Sequence, residues 1–190
     1  VMLALKEDLP PPPRLTRSPS PPLLGREEWC SWLVPQDWTQ FTDEEHGVWN
    51  TLYARQVPYL GTHIVAPFRE GLGLLDLGSG GIPELEALSN RLEALSGWQL
   101  VSVAGIVPDE AFFSMLARRH FPIGNFIRTR GQLDYLEEPD VFHDVFGHVP
   151  MLTDPTYADY MQEYGRAGWK AMRYNRLKAL GALYWYTVEF

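Results

Sequence analysis

The sequence predicts a mainly α-helical fold with a few short strands. Three observations predict it. Helix start signals recur along the chain, leucines repeat at helical spacing over 85–95, and strict alternation occurs only in one short run, Gln99 to Val103. The chain has 190 residues, 45% of them hydrophobic, with seven Trp, nine Tyr and nine Phe. That is enough apolar material for one core and one domain. Residues 1–25 read as a disordered tail, because seven of the sixteen prolines fall between Pro10 and Pro22. Such a run favours polyproline II, and it is also a candidate ligand for a proline-binding domain. The folded part, residues 26–190, is expected to begin near Trp29. Thr42 with Glu45 forms a T-x-x-E capping box, and a helix should follow through about Arg55. Gly71 to Gly81 reads as a glycine-rich loop. Pro83 opens an amphipathic helix with Leu85, Leu88, Leu92 and Leu95 on one face, and Gly97 ends it. After the strand 99–103, a helix is expected over 108–119 and an extended segment over 125–128. Asp154 before Pro155 starts a helix that reaches about Met172, with Gly165 and Gly168 weakening its middle. Leu177 to Phe190 reads as a last apolar helix.

Composition excludes several function classes. A net charge of -8 opposes nucleic-acid binding, which needs a basic field. A single cysteine, Cys30, excludes an internal disulfide framework and Cys-based zinc sites. No apolar run approaches the ~18 residues of a membrane span, and Lys6, Glu7 and Asp8 interrupt the apolar start. The expectation is a monomer in the cytoplasm, with no nucleic-acid or membrane partner. Val1 followed by Met2 suggests an incomplete reading frame.

The segment Leu74 to Gly81 imitates the glycine loop of an S-adenosylmethionine-dependent methyltransferase. The next strand should then end in an acid for the ribose. It runs into Ala104 and Gly105 instead, so an ordinary loop is the better reading.

The strongest local feature is Glu138-Pro139-Asp140-Val141-Phe142-His143-Asp144-Val145-Phe146-Gly147-His148-Val149-Pro150. Two histidines five apart are about 140° apart on an α-helix, so they share no face unless Gly147 ends the helix and turns His148 back. Imidazoles are the commonest metal ligands, and Asp140 and Asp144 lie close enough to support them. Two hydrogen-bonded structural histidines are the competing reading. Glu189, a carboxylate in an aromatic, apolar helix, favours a bound cation. Two His and one carboxylate suit a non-haem Fe(II) oxygenase. They also suit a His2Glu zinc hydrolase with Asp144 as base. A non-catalytic binding module with a partner-recruiting tail is a third possibility.

The runs EPDVFHDVFGHVPML and LYWYTVEF, with VPQDWTQFTDEEHGVW, GWQLVSVAGIVPDEAFF and NFIRTRGQLDYLEEPD, resemble the pterin-dependent aromatic amino acid hydroxylases. The likeness is closest to the bacterial-type phenylalanine 4-hydroxylases and runs from about residue 34 to the end. It implies that family's mainly helical catalytic domain, a mononuclear Fe(II), tetrahydrobiopterin and O2 as co-substrates, and hydroxylation of L-phenylalanine to L-tyrosine. It implies His143, His148 and Glu189 as iron ligands. Gly105, Val107, Phe112 and Asp144 would meet the pterin, with Phe112 stacking on it, although Phe112 reads equally as a core residue. Arg128 would take the amino acid carboxylate, with a surface ion pair as the alternative. Pro139 and Trp185 would wall the amino acid pocket, and Tyr184 would lie near the iron. Members continue well past the third ligand, so the expectation is a catalytic domain cut short at its C-terminus.

Overall fold

A computed structural model describes residues 26–78 and 80–189. The side chains of Arg26, Glu27, Trp185 and Glu189 lie outside that description, as does the proline-rich tail. Helix α1 (Arg26–Cys30) places Trp29 against Val103, Ala111 and Met115 in a small second core. Helix α2 (Asp43–Gln56) begins at the predicted capping box. The Thr42 side chain accepts from the Glu45 N–H, and the Glu45 carboxylate accepts from the Thr42 N–H at 2.7 Å. Its Val48, Trp49 and Leu52 are buried in the main core.

Helix α3 (Ala66–Leu74) corrects the glycine-rich loop, because Gly71 and Gly73 are helical. A Cβ on Gly71 would stand 2.1 Å from the Pro150 carbonyl oxygen, so glycine here permits a close approach of α3 to residues 149–153. Helix α4 (Leu85–Ser96) is the predicted leucine helix. Leu85, Leu88 and Leu92 are buried, Leu95 is exposed, and Gly97 at φ 74 closes it.

Strand β1 (Gln99–Val103) pairs in parallel with β2 (His120–Gly124), Gln99 opposite His120 and Val103 opposite Gly124. Helix α5 (Asp109–Ala117) is the crossover between them. Regular strand thus lies just before the segment expected to be extended, 125–128. Pro122 argues against a strand in sequence, but a two-stranded sheet has only edges, where a missing N–H is tolerated.

Helix α6 (Pro155–Arg173) starts at Asp154, whose side chain accepts from the Tyr157 N–H. Its glycines do not weaken it. Gly165 and Gly168 form the surface against α5: a Cβ on Gly165 would meet the Ala117 nitrogen at 2.3 Å, and one on Gly168 would meet Phe113 at 2.0 Å. The expected last helix is two pieces, α7 (Leu177–Tyr184) and a π turn over Trp185–Glu189. No helix among the described residues is long and apolar enough to cross a membrane.

Candidate active site

The site is built on a π turn. Asp140 caps the segment, its side chain accepting from the His143 N–H at 3.0 Å. After Val141 and Phe142 the chain widens into a π turn over His143–His148. In an i→i+5 turn the fifth residue on returns above the first, so the two histidines do share a face. Gly147 therefore does not end the helix. Pro150, which lacks an N–H, tightens the following turn over Val149–Thr153. The His143 and His148 Nε2 atoms stand 3.2 Å apart. At that distance one ring donates to the other, or both lone pairs face one cation. His148 is 7% exposed and packs on Phe121 and Tyr184.

Asp140 is fully buried and faces Arg128 in a two-point pair, with Nε to Oδ2 at 2.8 Å and Nη2 to Oδ1 at 2.9 Å. Oδ2 also accepts from the Arg128 N–H. Burial pushes the Asp140 carboxyl up, but the Arg128 guanidinium and the backbone N–H groups of His143 and Arg128 outweigh it. The net position is below the usual carboxylate range. The Arg128 ion pair is thus a buried clamp on the histidine turn, not a surface pair.

A cavity of about 260 Å³ opens beside the histidines. His143, His148, Asp144 and Tyr184 line it, together with Gly105, Val107, Phe112 and Pro139 among others. Asp144 Oδ2 accepts from the Gly124 N–H at 2.7 Å, which ties the turn to the end of β2. Phe112 packs edge-on against Tyr184, so it is both part of the core and part of the wall. Tyr164 supports Tyr184 at 5.4 Å and donates to the Leu180 carbonyl. Burial, with Tyr160 and Asp109 adding, holds its phenol well above the ordinary value. A second cavity of about 600 Å³ also borders His143, lined by Arg128, Pro139, Ile106, Tyr135 and Glu138 among others.

Nine of the eleven predicted site residues, all but Trp185 and Glu189, therefore line one or both of two cavities that meet at His143 and Pro139. The turn Trp185–Glu189 directly follows Tyr184, while the Trp185 and Glu189 side chains lie outside the described residues. Phe121, Gly124 and Asp109 also line the smaller cavity and were not singled out in sequence. Asp109 had a signal, its place in the first turn of α5; Phe121 and Gly124 depended on recognising β2.

The model for the biopterin-dependent aromatic amino acid hydroxylases matches residues 34–190. The chain belongs to this family. Among its relatives is a phenylalanine-4-hydroxylase of Caulobacter vibrioides, 51% identical over 173 residues, which are 91% of this chain and 58% of that one. A crystal structure of Chromobacterium violaceum phenylalanine hydroxylase with iron(III) and 7,8-dihydrobiopterin superposes with a TM-score of 0.81 at 45% identity. It covers 84% of this chain and 58% of that one. The iron- and phenylalanine-bound structure of the same enzyme gives 0.79 at 42% identity, over 84% of this chain and 57% of that one. This chain spans about half the length of the curated relatives it matches.

Proposed function

We propose that this chain carries the iron, pterin and amino acid sites of a monooxygenase that converts L-phenylalanine to L-tyrosine with tetrahydrobiopterin and O2. The observation that carries the reading is the pair of Nε2 atoms 3.2 Å apart on the wall of a cavity that Phe112 also lines. Support comes from the family match and from the iron, dihydrobiopterin and phenylalanine bound by the Chromobacterium relative.

The donor set fits the metal. Two imidazoles and a carboxylate suit mononuclear Fe(II) and leave positions open. His143, His148 and Glu189 are the proposed ligands. Bound there, iron with the reduced pterin would supply activation of O2 for insertion into an aromatic ring.

The chain's own residues bind and orient. Phe112 offers a flat apolar face to a pterin ring, with Gly105 and Val107 beside it. Asp144, fixed by the Gly124 N–H, presents its carboxylate between histidine turn and pterin space. Arg128 commits Nε and Nη2 to Asp140, which orients the guanidinium along the larger cavity for a substrate carboxylate. Pro139, Trp185 and Tyr184 complete the walls. Apolar lining excludes water around the reacting ring. The enzyme acts as a monomer in the cytoplasm.

The test is iron content together with pterin-dependent tyrosine formation. The expected result is about one iron per chain, lost when His143, His148 and Glu189 are all replaced by Ala. Retention of stoichiometric iron by that triple variant overturns the ligand assignment. Metal-dependent hydrolysis without pterin turnover overturns the reaction.

A further inference from the structure

Helix α7 brings Tyr184 to the wall of the smaller cavity, yet none of its residues is fully buried. It leans on the core through Leu177, Leu180 and Tyr184, with Val188 in the turn that follows, all of them partly buried. These positions lie at steps of three and four and form one helical face. A face buried only in part fixes the height and rotation of a helix weakly, so a further hold matters here.

Tyr164, in the middle of α6, supplies that hold. It is 4% exposed, and its hydroxyl donates to the Leu180 carbonyl at 2.9 Å, one turn before Tyr184. Burial keeps the phenol protonated, so it donates throughout the neutral range. Its ring packs on Phe113 of α5 at 5.6 Å and on Tyr184 at 5.4 Å. Tyr184 then meets Phe112 edge-on at 6.1 Å and His148 at 6.4 Å. A phenylalanine would fill the same core space, but it would lack the bond to α7. The bond sets how far α7 slides along α6, and the ring sets which way Tyr184 faces. A second tie joins the Tyr160 and Thr187 hydroxyls at 3.3 Å, but both residues are exposed and water can replace either partner. Tyr164 lines neither of the two cavities that meet at His143, so it reaches the site through Tyr184.

Taking His143, His148 and Glu189 as the metal ligands proposed above, we propose that Tyr164 is a positioning residue of the site. Through Leu180 and Tyr184 it places α7 against His148, and with α7 the turn that carries Trp185 and Glu189.

Two readouts test it: cobalt(II) binding, with cobalt as a coloured substitute for Fe(II), and the ¹H–¹³C signals of the Tyr184 and His148 rings in the metal-free protein. Tyr164→Phe keeps the ring and loses only the hydroxyl. It is expected to weaken cobalt binding about threefold to tenfold, the size of one hydrogen bond, and to shift the cobalt absorption bands. In the metal-free protein it should move both ring signals, including that of His148, one ring beyond Tyr184. Thr42→Ala, weakened at the distant cap of α2, should leave cobalt affinity and both ring signals as in the parent. A parent that binds no cobalt overturns the metal site, and the metal-free signals then decide the role of Tyr164 by themselves. Unmoved Tyr184 and His148 signals in Tyr164→Phe overturn the positioning role. So does unchanged affinity beside a parent that binds cobalt, or an equal loss in Thr42→Ala, because stability alone would then explain the effect.

Discussion

Replacing Asp140 by Asn tests whether the histidine turn is held by a buried charge. Asp140 is fully buried and accepts from four N–H groups: His143 N, Arg128 N, Nε and Nη2. The amide keeps one oxygen and turns an NH2 group toward donors, leaving the guanidinium without its counter-charge. Four charged bonds at about 1.5–3 kcal/mol each would exceed 6 kcal/mol. Arg128 keeps 14% of its side chain exposed, so hydration recovers part of that. The expected loss is that of breaking a buried pair, roughly 3–5 kcal/mol. Against a typical total of about 5–15 kcal/mol this is readily measured by urea unfolding at pH 7. Arg128→Met combined with Asp140→Asn should lose less than the sum of the two single losses. The pH dependence has a definite sign. The folded carboxyl lies below its unfolded value of about 3.9, so its contribution is complete above that pH and lost as pH falls through the folded value. The stability gap between parent and variant should therefore be flat near neutrality and shrink below about pH 4. A loss under about 1 kcal/mol at pH 7, or a gap that widens on acidification, refutes the reasoning.

Three further outcomes are expected. Gly168→Ala drives a methyl to 2.0 Å from Phe113 and should cost about 1–3 kcal/mol or more, whereas Gly147→Ala meets nothing within 4 Å and should leave the melting temperature unchanged or higher; similar losses would contradict the packing argument. Thr42→Ala removes one half of the α2 capping box and should cost about 1 kcal/mol in thermal unfolding, and no change would mean the cap is redundant. Trp185→Phe should move the ratio of kcat/KM for phenylalanine over tryptophan toward tryptophan by about ten- to a hundredfold, because a smaller wall admits an indole; an unmoved ratio rules out that wall as the discriminator.

Local grammar was readable in sequence. The capping box at Thr42, the leucine spacing of α4 with Gly97 behind it, and Asp154 before Pro155 are contained within a few residues, and each element begins or ends where those signals lie. The H-x4-H motif was legible as residue type and spacing, whereas the residues gathered around it came from the family resemblance alone. Other features depend on partners distant in sequence. Gly71 lets α3 pass close to the Pro150 carbonyl, and Gly165 and Gly168 serve α6 because α5 lies against them. Strand β2 contains Pro122 and exists because β1 offers it an edge. The Asp140–Arg128 clamp joins residues twelve apart. The convergence of His143 and His148 is the clearest case. Hydrophobic periodicity reports an average helical pitch, and it is blind to a single turn that changes its hydrogen-bond register. Only the tertiary structure, with Asp140 fixing one end of that turn and Pro150 tightening the chain beyond the other, decided that these two nitrogens meet.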